Sequence, residues 1–118
     1  MFQQILDQLI ERVPEALAAT FNDRDGDAVC SRTIEVSNEG LQLLGAYQHV
    51  VKRHLQQAVE EFDRGEVKQL AFATDQHWIL MMGADEQCVL VLVMRREGLL
   101  GRARFFMEQA LEALNREL

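Results

Sequence analysis

Three aspartates alternate along the segment Asn22-Asp23-Arg24-Asp25-Gly26-Asp27, as calcium ligands do. An EF-hand loop would set its glycine two positions after Gly26 and a glutamate at its twelfth position, which here is Ile34. The segment therefore reads as a solvated hairpin turn built on an Asp-Gly signal. The stretch Gly40-Leu41-Gln42-Leu43-Leu44-Gly45-Ala46-Tyr47 has the glycine spacing of a phosphate loop. It lacks the Lys and Ser/Thr that would hold phosphate and magnesium, and it falls inside a predicted helix rather than after a strand. Gly98-Leu99-Leu100-Gly101 opens a helix and is not a dinucleotide fingerprint. His49 and His54 are five apart, so they do not share a helical face as HExxH ligands would. His77, beside Trp78, reads as a surface or turn residue. Cys30 and Cys88 fall in predicted strands, where a small apolar role suits them. Ser31 and Ser37 sit in no nucleophile elbow. Glu60 and Glu61 are adjacent in a helix and diverge. No triad, dyad, metal site or cofactor motif assembles. We therefore assign no catalytic, metal-binding or cofactor-binding residue and read a binding module rather than an enzyme.

The elements that carry these residues follow from periodicity. Phe2, Ile5, Leu6, Leu9, Ile10 and Val13 form one stripe of a first helix, closed by Pro14, the only proline. Strands are expected at Ala16–Phe21 and Ala28–Val36. Ser37-Asn38-Glu39 starts a long central helix, Glu39–Phe62, that stops at Gly65. Three further strands, Glu66–Thr74, His77–Gly83 and Gln87–Met94, are separated by turns at Asp75-Gln76 and Ala84-Asp85-Glu86. The unbroken apolar run Cys88–Met94 is too short for a membrane span and suits a strand covered on both faces. A C-terminal amphipathic helix presents Leu99, Leu100, Ala103, Phe106, Met107, Ala110, Leu111 and Leu114 at helical spacing. The order α-β-β-α-β-β-β-α predicts an α+β fold with a mostly antiparallel sheet flanked by helices on both faces.

The central helix has more apolar surface than one face needs. Leu41, Leu44, Val51, Leu55, Ala58, Val59 and Phe62 form one stripe, and Leu43, Tyr47 and Val50, continued by His54, form a second. The second stripe either sits deeper in the monomer core or forms an oligomer interface. The strand Glu66–Thr74 should be a sheet edge, and its only gatekeeping charge is Lys68. These two features together point to a homodimer through Leu43, Tyr47, Val50, His54, Leu70 and Phe72. Gln48, Lys52, Arg53 and Gln56 would flank that seam as a partner-binding ridge. Lys52 and Arg53 either steer an acidic partner or merely solubilise the helix beside Glu60 and Glu61.

Composition bounds the rest. The 118 residues carry a formal charge of −7. That leaves no basic field for nucleic acid or an anionic membrane surface. Asp7, Glu11 and Arg12 interrupt the N-terminal segment, so it does not read as a signal peptide. Two cysteines make no disulfide framework. One cytoplasmic domain over 1–118, without linker or repeat, is expected.

The chain resembles the roadblock family, which includes dynein light chain roadblock and bacterial regulators of Ras-like GTPases. The resemblance rests on the element order, the Asp23-x-Asp25-Gly26 hairpin, the Leu44-Gly45-Ala46 step and the Gln69–Thr74 strand. It rests also on Leu90-Val91-Leu92-Val93 followed by Gly98-Leu99-Leu100-Gly101-x-x-Arg104. It implies a profilin-like fold with the last strand in the middle. It also implies dimers that pair their third strands and pack their central helices, and a role as a non-catalytic regulator or scaffold of a small Ras-like GTPase. GTPase activation would then work by reshaping the GTPase site without an arginine finger. The alternative is a small-molecule sensor or a structural subunit of a larger complex, which an apolar pocket with convergent polar groups would favour.

Overall fold

The computed structural model describes residues 1–34, 53–54, 56–57 and 67–118. Most of the expected central helix, with Leu43, Tyr47, Gln48, Val50 and Lys52, lies outside these residues. Of that helix Arg53, His54, Gln56 and Gln57 are described, and all four are helical. The elements are α1 (Phe2–Arg12), β1 (Ala16–Asn22), β2 (Ala28–Thr33), β3 (Gln69–Ala73), β4 (His77–Gly83), β5 (Val89–Arg95) and α2 (Leu100–Glu117).

The sheet is five-stranded and antiparallel throughout, in the order β2-β1-β5-β4-β3. The last strand is therefore central, as its composition requires: Val89 through Met94 are all buried. Alternation along β5 splits the core. Leu90, Leu92 and Met94 pack with Leu6, Leu9 and Ile10 of α1 and with Ala103, Met107, Ala110 and Leu114 of α2. Val89, Val91 and Val93 face the other way, with Met81, Ile79, Leu70 and Ala18. Truncating a residue such as Leu92 would cost about 2–5 kcal/mol. Between Ala16 and Ala18 the β1–β5 register shifts, inserting Leu17 as a bulge.

α1 ends where Pro14 forces it to. The proline disfavours helical backbone at the residue before it, and Val13 is extended at φ −113°, ψ 97°. Several element bounds differ from expectation. β2 spans Ala28–Thr33, with Ile34 N–H bonding Leu17 O just beyond it, and the rest of its expected span, to Val36, lies outside the described residues. β3 begins at Gln69, because β4 ends at Gly83, whose N–H bonds Lys68 O. Leu99 is not part of the buried helical stripe; it is the N-terminal cap of α2 and 59 % exposed. β5 begins at Val89 rather than Gln87, since Glu86 and Gln87 form the turn from β4, with φ of 58° and 62°. The Cys88 N–H closes this turn on Asp85 O at 3.1 Å. Two successive positive φ values are what a type I′ hairpin turn needs, and Asn-Gly supplies them with least strain.

Two substitution experiments follow from this geometry. Replacing the turn by Glu86→Asn with Gln87→Gly should stabilise the fold by about 1–2 kcal/mol. It should be seen as a higher urea midpoint with an unchanged slope. At the start of α2, a Cβ on Gly98 would collide with Met94 Cε and come within 2.9 Å of Glu15 Cβ, whereas one on Gly101 would meet nothing within 4 Å. Gly98→Ala should therefore destabilise by roughly 1–3 kcal/mol. Gly101→Ala should be neutral or stabilise by about 0.5 kcal/mol in the same unfolding measurement.

Candidate interaction surface

The two edge strands carry the same hazard, a row of unpaired backbone groups, and the molecule treats them differently. At β2 the outward carbonyl of Ser31 accepts a hydrogen bond from Gln3 Nε2 at 3.1 Å. Arg32, on the same strand, pairs with Asp7 of α1 at 3.0 Å, and Gln3 Nε2 also donates to Asp7 Oδ1. The Gln3 hydrogen bond and then Arg32 hold the Asp7 carboxyl below its ordinary pKa. α1 thus blunts this edge with a charge pair and a backbone cap.

No such cover is built over β3 by the described residues. The strand reads Gln-Leu-Ala-Phe-Ala, without a charge, and Lys68 precedes it. Thr74 N–H bonds His77 O, and Lys68 O accepts from Gly83 N–H. Alternation therefore turns Lys68, Leu70, Phe72 and Thr74 toward β4 and leaves Gln69, Ala71 and Ala73 directing N–H and C=O to the open edge. Those three residues are exposed. Gln69 reaches over to α2, where its Nε2 lies 3.4 Å from Glu108 Oε1.

Of the residues expected at a dimer seam, Leu70, Phe72 and His54 are described. Leu70 is half-buried against Met81, Val89 and Val91, so part of its apolar surface is already used within the chain. Phe72 stands opposite Ile79 and is 37 % exposed. His54 is helical and exposed. Of the expected partner ridge, Arg53 is exposed, while Gln56 is half-buried and its Oε1 accepts the N–H of Val67 at 2.7 Å. Gln56 thus ties the approach to β3, a role that periodicity alone does not reveal. Leu43, Tyr47, Val50, Gln48 and Lys52 lie outside the described residues.

The residues that looked chemical have structural work. The Asp23 carboxylate accepts the N–H groups of Asp25 and Asp27, each at 3.0 Å, and Gly26 takes φ 87°. The alternating aspartates therefore build a turn. Among the described residues no three His, Cys, Asp or Glu side chains group closely enough to hold a metal ion. Cys30 packs against the core, and burial pushes its thiol from 9.0 up to about 11. Burial raises Cys88 as well. Neither is poised as a nucleophile, since the thiolate is the reactive form. Hollows lined by described residues include two that are open to the surface. One, of about 350 Å³, runs between α1 and α2 over Leu9, Phe106 and Ala110, with Arg12 and Arg116 at its rim. The other, of about 500 Å³, lies between the two turns at one end of the sheet and is lined by Asp23, Arg24, Asp25 and Glu86. Among the described residues no helix is long and apolar enough to cross a membrane.

No family model matches the sequence, and no curated protein is similar to it. Solved structures are similar in architecture. A Roadblock/LC7 domain from Streptomyces avermitilis superposes with a TM-score of 0.88 at 17 % identity, over 98 % of this chain and 95 % of that one. Myxococcus xanthus MglB gives 0.87 at 16 % identity, over 98 % and 92 %. Profilin II from Acanthamoeba castellanii gives 0.62 at 14 % identity, over 99 % and 98 %. Strand order, central β5 and helix placement thus agree in identifying the architecture: the chain has the roadblock/LC7 fold, which is profilin-like.

Proposed function

We propose that this protein is a homodimeric adaptor, one roadblock-like domain over 1–118, that binds a small Ras-like GTPase in the cytoplasm and modulates its GTP hydrolysis or localisation. The observation that carries the dimer is the difference between the edges: β2 is capped by α1, and β3 is uncharged, exposed and turned outward. Antiparallel pairing of two β3 strands would satisfy the outward groups of Gln69, Ala71 and Ala73 in both copies and bring Phe72 and Leu70 near the seam. The central-helix residues Leu43, Tyr47, Val50 and His54 would complete the interface. The GTPase as partner rests on the roadblock/LC7 fold together with the family resemblance of the sequence motifs. Arg53 would belong to the docking ridge with Gln48, Lys52 and Gln56, a basic spot on an acidic protein. The protein would act as a scaffold and contribute no catalytic group.

Calorimetry against small Ras-like GTPases of the same genome tests this reading. The wild-type protein should bind one of them with two chains per GTPase, and should bind neither GTP nor GDP alone. Phe72→Glu should weaken the dimer by ~2 kcal/mol or more, since a charge would be desolvated at the seam, and GTPase binding should fall with it. Charge reversal at Lys52 and Arg53 should leave the dimer intact, slow association and flatten its salt dependence. Micromolar GTP binding by the protein alone would refute the proposal, as would undiminished GTPase binding by a monomeric Phe72→Glu variant.

A further inference from the structure

The turn that ends β3 is not closed by its own residues alone. Asp75-Gln76 joins β3 to β4, yet the described residues with positive φ are Gly26, Glu86 and Gln87, so this turn lacks the primed geometry that two-residue hairpins favour. Thr74 provides part of the closure. Its N–H donates to His77 O at 2.9 Å, and its Oγ1 accepts from the N–H groups of Gln76 and His77 at 3.2 and 2.9 Å.

The carbonyls of Thr74 and Gln76 are taken by a residue from elsewhere. Arg96, just beyond β5, donates its backbone N–H to Gln76 O at 2.9 Å and its Nη1 to Thr74 O at 2.9 Å. The same guanidinium lies over the Trp78 ring, 4.5 Å from its centroid. Trp78 in turn stands in register between Ala73, the last residue of β3, and Met94 of the central strand. One arginine therefore contacts the turn twice and the adjacent cross-strand ring once. A planar guanidinium can lie flat on a ring while its edge N–H groups donate in the ring plane, a geometry that a compact ammonium lacks.

We propose that Arg96 is a positioning residue for the open edge: it fastens the C-terminal end of β3 to the buried centre of the sheet and so holds Gln69, Ala71 and Ala73 in the outward register. Its consequence for self-association rests on the proposed β3-to-β3 dimer; its action on β3 does not.

Trp78 is the only tryptophan, so its emission reports on this site. Arg96→Lys keeps the charge and removes the stacked fork. It is expected to shift Trp78 emission to longer wavelength and to speed amide exchange at Leu70, Phe72 and Thr74, with exchange in β1 and β5 unchanged. The dimer dissociation constant should rise by up to about tenfold, because a loosened β3 must be re-ordered before it can pair. Arg96→Ala should do the same at least as strongly; if it fails to fold, Arg96→Lys decides. Wild-type emission and wild-type exchange at those three amides in Arg96→Lys would overturn the proposal. Altered emission and exchange in a protein that is monomeric at every concentration would uphold Arg96 as the fastening of β3 and remove the dimer reading instead.

Discussion

β5 is buried on both faces and hydrogen-bonded on both sides, and most of the architecture answers that constraint. Its apolar run can be satisfied only if β1 and β4 flank it, if α1 and α2 take the side of Leu90, Leu92 and Met94, and if the opposite face is closed over Val89, Val91 and Val93. Filling the centre with the last strand pushes β2 and β3 to the rims. A sheet built this way must then dispose of two edges.

The disposal is asymmetric, and the proposed function rests on that asymmetry. α1 already lies over β1 and β2 for the sake of the core, so Gln3 and Asp7 reach the β2 edge at no further cost in architecture. Among the described residues β3 has only β4 beside it. Its alternation gives Leu70 to the core and leaves Ala71 and Ala73 small and exposed, which permits close approach of another backbone. Natural sheets usually break such an edge with charge, proline or a bulge. Here Arg96 instead fastens the turn at the far end of the strand.

The parts legible in the sequence are those with a strong period or a strong local signal. The α1 stripe ahead of Pro14, the Asp-Gly hairpin, β4 from His77 to Gly83 and the buried run that makes β5 central were all readable, because burial on a helix or strand imposes a spacing that composition displays. Boundaries set by tertiary pairing were not. Gln69 starts β3 only because β4 runs out at Gly83, and Gln87 leaves β5 only because the backbone is left-handed at two residues that carry no glycine or asparagine signal. The roles of Gln56 toward Val67 and of Arg96 toward Thr74 and Trp78 were likewise invisible, since each joins positions distant in sequence through polar atoms with no periodicity. Among the residues proposed for an interface, Phe72 is an exposed apolar side chain on a strand at the rim of the sheet.

Residue-resolved amide exchange as a function of protein concentration decides whether β3 is an association edge or a merely tolerated one. The amides of Leu70 and Phe72 bond to β4 in every state and serve as an internal reference. If two β3 strands pair, those of Gln69, Ala71 and Ala73 become protected together with them as concentration rises into the dimer range. If those three amides exchange like open chain at all concentrations while their neighbours stay protected, β3 is not an interface and the account is contradicted.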